Sequence, residues 1–295
     1  MKNKYLLMYT LKDKKRRKIR RFIIKKYLLA LAIIVLIIFL KFIIKGLKND
    51  LVVTNYKMGS AKINNPLKVA VITDLHSCYY GENQQDLIQA IDSDQPDLVF
   101  LVGDIIDDKI PEDNAYITLR RIAEKYPAYY VLGNHEIYTG KIEEIIQNVR
   151  SLGITVLCGD QTEIKVNDNS LIIKGISDPK IGKVAYSDEL EAIQASDIDK
   201  FTFLLAHRPE RHADYNQIQH DLVISGHAHG GHWRIPNIIP GIIAPNQGLF
   251  PRNTSGFYQL DHSKMLVSRG LSREKVIIPR FYNPPEVIIL ELTNE

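Results

Sequence analysis

The chain has 295 residues, 45% of them hydrophobic and 24% charged, with two cysteines, Cys78 and Cys158. This composition excludes a disordered chain, a collagen repeat and a disulfide scaffold, and two thiols cannot build a four-thiolate zinc site. The net charge of +4 hides two opposite polymers, because residues 1–48 carry 15 Lys/Arg against the single acid Asp13 whereas the remainder carries 23 Lys/Arg against 33 Asp/Glu.

The basic segment encloses an apolar run from Tyr27 to Leu40, then Lys41 and Phe42 to Ile44, approaching the ~20 residues that cross a bilayer. Lys41, near one end, can extend its amine to the interface. A helix apolar on every side has no face for water, which argues against a core helix. No small-residue cleavage site follows the run, so it is expected to be an uncleaved anchor over residues 27–44. Twelve Lys/Arg lie within residues 1–26, and cytoplasmic flanks keep the positive excess. Residues 1–26 are therefore expected to be a basic cytoplasmic segment, with the rest of the chain exported. The run from Lys12 to Arg21 would also suit a polynucleotide, but beside a membrane span anionic lipid is the nearer partner.

Residues 45–66 are mixed and polar and are expected to be a linker. From there strands and helices alternate: strand Lys68 to Thr73, helix Asn83 to Ile91, strand Leu98 to Val102, helix Ala115 to Lys125, strand Tyr129 to Leu132, helix Ile142 to Leu152, strand Thr155 to Cys158. This alternation predicts a parallel sheet with helices on both faces. Glu163 to Val166 and Leu171 to Gly175 flank Asn167-Asp168-Asn169 as a hairpin. Short buried strands follow at Phe201 to Ala206 and Leu222 to Ser225, then a hairpin of Phe257 to Leu260 with Met265 to Ser268, and a last strand near Val287 to Leu292. There is no repeat and no internal boundary, so residues 67–295 are expected to form one α/β domain.

Five of the predicted strands end in clusters of oxygen and imidazole donors. They read Asp74-Leu-His76, Gly103-Asp104, Gly133-Asn134-His135-Glu136, His207, and Gly226-His227-Ala228-His229-Gly230-Gly231. In α/β sheets the carboxyl ends of strands are where ligands bind, and a spacing of i, i+2 at a strand end sends both side chains to one side. A single Asp or His after a strand is ordinarily a cap or a satisfied surface group; five clusters in succession are not explained by capping. Asp74, His76, Asp104, Asn134, His207, His227 and His229 are too many ligands for one ion, whereas two ions sharing a carboxylate fit. Nitrogen and oxygen donors without thiolate suit Mn²⁺, Fe or Zn²⁺ better than Ca²⁺ or Cu(I). Two metals about 3.5–4 Å apart suit displacement at phosphorus.

The order Asp-x-His, Gly-Asp, Gly-Asn-His-Glu, His, Gly-His-x-His resembles the calcineurin-like metallophosphoesterase superfamily over residues 67–232. The resemblance implies two packed sheets flanked by helices, with metals at the strand ends. It implies that Asp74, His76, Asp104 and His229 hold a first metal, that Asp104 bridges, and that Asn134, His207 and His227 complete a second. His135 would be the histidine that contacts phosphate and protonates the leaving oxygen. The activity implied is a phosphoester hydrolase in which a metal-activated hydroxide attacks phosphorus directly. The anchor, His207-Arg208-Pro-Glu210 and the glycine-histidine cluster resemble the membrane-associated branch that includes YkuE- and YaeI-type phosphoesterases and a diacylglucosamine pyrophosphohydrolase. Relatives commonly carry Thr and Gln where this chain has Ala228 and His232; neither position is a ligand, but His232 could alter substrate contacts.

The segment Trp233 to Phe250 is unusually apolar for a loop; it is either buried core or a rim that admits an acyl chain or rests on a bilayer. Arg208, Arg234 and Arg252 are candidate phosphate clamps, and Trp233 a candidate substrate contact. The expected substrate is a lipid-linked phosphodiester or pyrophosphate. The rivals are a non-catalytic metal-dependent binding module and a phosphodiesterase or nuclease on soluble substrates. No nucleic acid is expected, since the exported part is net negative. No phosphate-cradling P-loop and no Gly-x-Ser-x-Gly is present, and Cys78 is expected to be a small buried residue.

Overall fold

A computed structural model describes residues 2–195, 197–273 and 279–294, with side chains from Lys14 onward. Met1, Ser196, residues 274–278, Glu295 and the side chains of Lys12 and Asp13 in the basic run therefore lie outside the described part. The chain divides into two compact units, Met1–Lys48 and Asn49–Glu295. The first is one helix, α1 (Lys2–Gly46). No Pro or Gly interrupts it before Gly46, and within Lys14–Gly46 an 18-residue window reaches a mean hydropathy of 3.0, apolar enough to cross a membrane. Helix thus continues unbroken through the basic residues that precede the apolar run.

The second unit is built on two six-stranded sheets. The first contains β1 (Val52–Gly59), β2 (Leu67–Ile72), β3 (Leu98–Val102), β4 (Ala128–Val131), β5 (Thr155–Val156) and, late in the chain, β14 (Glu286–Thr293), in the order β1-β14-β2-β3-β4-β5. Strands β2 to β5 run parallel, and β14 enters antiparallel to β2. The second contains β6 (Asp160–Val166), β7 (Asn169–Ile176), β8 (Phe201–Ala206), β9 (Leu222–Ser225), β12 (Gly256–Gln259) and β13 (Lys264–Val267), in the order β12-β13-β9-β8-β7-β6. Its four central strands are parallel, with an antiparallel hairpin at each edge. Between β9 and β12 a short hairpin pairs β10 (Ile243–Ala244) with β11 (Gly248–Leu249).

Period-two alternation divides each strand between two cores. Val69 and Val71 of β2, with Phe100 and Val131, face Phe203, Leu205 and Ile224 of the other sheet, and Phe100 meets Phe203 edge to face at 4.9 Å. Ala70 and Ile72 point the other way, beneath α2 (Gln85–Asp92), α3 (Asp113–Ala123) and α5 (Ile142–Ser151) through Leu87, Leu119 and Val149. Leu204, Val223 and Met265 form a third core with Tyr186 of α6 (Lys183–Ala192) and Tyr215 of α7 (His212–Tyr215). Both faces of the central strands are buried, which is why they read as continuous apolar runs.

Two expectations need correction. Each sheet carries helices on one face only, because its other face packs on the second sheet. The stretch 45–66 is not simply a linker: Val52–Gly59 is a strand, paired residue by residue with Glu286–Thr293. Its polar residues alternate with Val, Tyr and Met, as an edge strand with one wet face requires. Only residues 47–51 separate α1 from the sheet. The weakly amphipathic α6 was not anticipated either; the remaining expected strands and helices are present, with ends moved by a few residues.

Candidate metal centre

The register that pairs Ile72 with Leu101, and Leu205 with Ile224, brings the carboxyl ends of β2, β3, β8 and β9 level. The side chains that follow them converge. Asp74, His76, Asp104, His227 and His229 all have φ between 46° and 62°, a left-handed backbone that non-glycine residues adopt only where surroundings enforce it. The enforcement is visible. The amides of Asp74 and His76 donate to the carbonyls of Gly103 and Asp104 at 3.0 and 2.9 Å. Buried Glu136, on α4 (Asn134–Tyr138), accepts from the amides of Asp104, Ile105, Ile106 and Gly133 and from the Tyr130 hydroxyl, all within 2.7–2.9 Å. At Gly133 a Cβ would lie 2.2 Å from Asp104 Oδ1, so only glycine lets this turn pass so close to the carboxylate.

Three sets of donor atoms result, each within 4.8 Å of one another: Asp74–His76–His229 and Asp104–His207–His227 hold only expected ligands, and the third joins His76 to Asp107 and His135. Asp104 Oδ2 lies 3.0 Å from His207 Nε2 and 3.7 Å from His76 Nε2, so this carboxylate stands between the first two sets. Asp74 Oδ1 lies 3.8 Å from His229 Nε2 and 3.9 Å from His207 Nε2. Atoms bound about 2.1 Å from one cation sit roughly 3–4 Å from each other, which these spacings match. His76 Nε2 and Asn134 Oδ1 are buried without a hydrogen-bond partner, a costly state for polar atoms that a cation relieves. Six of the seven expected ligands are thus brought together, Asn134 preceding the residue whose amide bonds Asp104, and their donor set fits divalent ions.

Each imidazole is fixed by its other nitrogen. His207 Nδ1 donates to the Val102 carbonyl at 2.8 Å, His76 Nδ1 meets Asp107 at 2.9 Å, His229 Nδ1 meets Ser272 Oγ at 2.8 Å, and His227 Nε2 meets Asn246 Oδ1 at 2.8 Å. Such outer partners orient a ligand ring and tune its basicity. Burial opposes charge on His207, yet Asp104 and Asp74 hold its pKa up to about 10. Burial also raises Asp74, while His207 and His76 overcome it at Asp104 and bring that carboxyl well below the usual range. Burial, with His207 nearby, pushes His227 down to about 3, and burial with His76 lowers His229. Those two rings are therefore neutral donors at physiological pH.

His135 stands at the edge of the cluster, its ring 4.4 Å from that of His76. Its amide donates to Asp104 Oδ1 at 2.8 Å and its Nδ1 lies 2.6 Å from Asp108 Oδ1. Burial opposes ionisation of Asp107, but His76 and the amides of Lys109 and Ile110 bring it down to about 2. Asp107 and Asp108 also border an open cavity of about 830 Å³ lined by Tyr116, Arg120 and Lys141.

Sequence reasoning missed Asp107, Asp108, Glu136, Asn246 and Ser272. The first two follow Asp104 by three and four residues and Glu136 ends the Gly-Asn-His-Glu run, so proximity could have found them; Asn246 and Ser272 carry no local signal. Arg208 is not a free phosphate clamp: it is 6% exposed, with Nε 2.5 Å from Asp178 and Nη1 3.5 Å from Glu210. Its charge is used inside the fold, against buried Asp178 and half-buried Glu210. Arg234 donates to Ser255 Oγ at 2.7 Å. The His232 ring stacks on His229 at 5.4 Å, and Trp233 packs against Phe281 at 5.7 Å while remaining 44% exposed. Cys78 is buried.

Residues 67–231 match the family model of the calcineurin-like phosphoesterases. An uncharacterized metallophosphoesterase of Campylobacter jejuni is 30% identical, covering 92% of this chain and 71% of its own. The uncharacterized metallophosphoesterase YkuE of Bacillus subtilis is 28% identical over 76% of this chain and 78% of its own. A transmembrane protein with metallophosphoesterase domain from Bos taurus is 26% identical over 57% of this chain and 41% of its own.

Proposed function

The chain belongs to the calcineurin-like phosphoesterases, and from that membership we propose that it is a membrane-anchored hydrolase using two divalent ions to cleave a lipid-linked phosphodiester or pyrophosphate. The observation that carries the reading is Asp104, held between two sets of ligands with His135 beside it. Bound there, the ions, Mn²⁺, Fe or Zn²⁺ by donor type, would activate water and neutralise phosphoryl oxygens. Asp74, His76, Asp104 and His229 would hold one and Asn134, His207 and His227 the other, with Asp104 shared. The chain's own contribution to the chemistry is His135: Asp108 fixes its Nδ1, so Nε2 is aimed to bind phosphoryl oxygen or to pass a proton to the leaving oxygen.

Three observations support the finer parts. The apolar helix α1 supplies an anchor, and the 12 basic residues of 1–26 favour a cytoplasmic N-terminus, leaving the hydrolase outside. Protease added to intact cells should then degrade residues 49–295; full protection that ends on lysis would reverse the orientation. Exposed Trp233 and Ile238, four and nine residues beyond His229, offer apolar surface to an acyl chain, favourable by about 25 cal/mol per Å² buried.

The full chain, purified in detergent and loaded with Mn²⁺, Fe²⁺ or Zn²⁺ in turn, tests the reading against mono-, di- and pyrophosphate esters in lipid-linked and soluble pairs. The lipid-linked diester or pyrophosphate should turn over fastest, and Trp233→Ser with Ile238→Ser should slow it while the soluble ester is spared. A soluble ester that remains better in mixed micelles would remove the lipid assignment. Metal binding without turnover of any ester would mark a binding module instead.

A further inference from the structure

Residues 222–260 contain no Asp or Glu, although the average over residues 49–295 would place about five there. Arg234 and Arg252 are the stretch's only Lys/Arg. Its centre also breaks the domain's burial pattern. Of the large apolar side chains exposed among the described residues after Asn49, half lie in this one loop: Trp233 at 44%, Ile238 at 76%, Leu249 and Phe250 each at 68%.

The loop is built rather than slack. Ile235 bridges Ile239, Ile243 pairs with Leu249, and the Phe250 amide donates to the Ile242 carbonyl at 2.8 Å. Its turns use left-handed backbone at Asn237, Asn246 and Phe250, with φ of 63°, 58° and 53°. A phenylalanine rarely accepts that conformation, and here it does so without gaining burial. The core alternative for this segment therefore fails at its tips, while Ala244 and Gly241 on its inner side are buried. Aliphatic and aromatic tips, a tryptophan, the exposed Arg252 and no acids make the chemistry of a surface that enters the headgroup layer of an anionic bilayer.

We propose that the loop 233–252 is a second membrane contact, with Ile238, Leu249 and Phe250 entering the boundary between headgroups and acyl chains and exposed Arg252 facing anionic headgroups. The inference rests on the membrane placement of α1 in the reading above, not on the substrate given there. Only residues 47–51 join α1 to β1, so an inserted α1 keeps the loop at high effective concentration near the lipid, where weak contacts suffice. The contact also reaches the metal centre, because Asn246 of this loop holds His227.

Trp233 is the chain's sole tryptophan and serves as the probe. The full chain is placed in nanodiscs of phosphatidylcholine and phosphatidylglycerol, with or without acyl-brominated lipid, and retention of α1 is checked by resistance to alkaline carbonate in matched liposomes. Brominated lipid should lower Trp233 emission roughly twofold or more, as expected for a ring within 5–10 Å of the interface. Phe250→Asp with Ile238→Asp should restore emission, with an unchanged melting transition showing that the fold persists. Arg252→Glu, an exposed position that does not challenge the fold, should weaken the dependence on phosphatidylglycerol. Unquenched emission from a carbonate-resistant chain would overturn the loop contact and leave the anchor standing. Release of the chain by carbonate would overturn the anchor, and the inference with it.

Discussion

The two sheets meet at the metal centre as unequal partners. The first delivers every carboxylate, Asp74 and Asp104, together with His76 and Asn134, from loops locked by Glu136. The second delivers imidazoles alone, His207, His227 and His229, whose outer nitrogens are held by Val102 O, Asn246 and Ser272. The division separates two tasks. Negative charge buried in the first sheet attracts and holds cations together, a contribution that only an acid makes and that low dielectric strengthens. The imidazoles, with His227 and His229 held neutral by burial, would complete each coordination shell and tune it through their partners.

Asp104 is the strongest test of that division. Asp104→Ala should remove both metals and lower turnover by roughly 10³ or more, above the 10²–10³ typical of losing one electrostatic donor. Asp104→Asn should be nearly as severe, because the amide keeps the shape and loses the charge. His227→Ala should keep the first ion and cost less. Metal content by mass spectrometry beside turnover decides it: if His227→Ala strips both ions and Asp104→Asn strips neither, charge is not what distinguishes the sheets.

His135 belongs to the first sheet's loops but touches no other imidazole's ligand task. His135→Ala should lower turnover by roughly 10²–10⁴ while both metals stay bound. An ester with nitrophenolate as leaving group, which needs no protonation, should suffer less than an alkyl ester. Equal losses would assign His135 to phosphate positioning alone. Asp108→Asn should follow the same leaving-group pattern more weakly, since it acts only by fixing Nδ1.

Glu136 tests whether the first sheet's geometry depends on a buried clamp. Glu136→Gln replaces one acceptor oxygen by a donor facing amides, so denaturation should show a loss of about 2–3 kcal/mol, the scale of a hydrogen bond to a charged group. Metal affinity should fall with it, because Asp104 loses its enforced backbone. Unchanged stability would mean that the packing of β3 and β4 suffices to hold the loop.

The unequal partnership also explains what could be read in the sequence. The first sheet's acids, and the second sheet's histidines, announce themselves because each follows a continuous apolar run and shares a strand end with glycine. The strands themselves were legible for the same reason: two buried faces make them uniformly apolar. Strand β1 was hidden because an edge strand has one wet face, and its partner β14 lies more than 200 residues away. The pairing of two sheets was implied by resemblance rather than by periodicity, since a run buried on both faces does not say whether helix or sheet covers it. Arg208 was misjudged because its neighbours in sequence are at the site while its charge partner, Asp178, comes from a different loop.

Asn246 offers the finest test, at the point where the second sheet meets the apolar loop. Asn246 is not among the expected ligands, and its Oδ1 accepts a hydrogen bond from His227 Nε2, which leaves Nδ1 facing His207 Nε2 at 3.2 Å. Asn246→Ala frees that ring to rotate and exposes its outer nitrogen to other partners, so the ion held with His207 and His227 should bind about 10–100-fold more weakly. Ser272→Ala should do the same for the ion held with Asp74, His76 and His229. Titration of the metal-free protein with Mn²⁺ separates the two sites: each substitution should weaken one binding phase and leave the other in place. Both phases weakening together would mean that Asp104 couples the ions too tightly for the imidazole sheet to tune them singly, and the division between charge-bearing and tuning sheets would have to be redrawn around that one carboxylate.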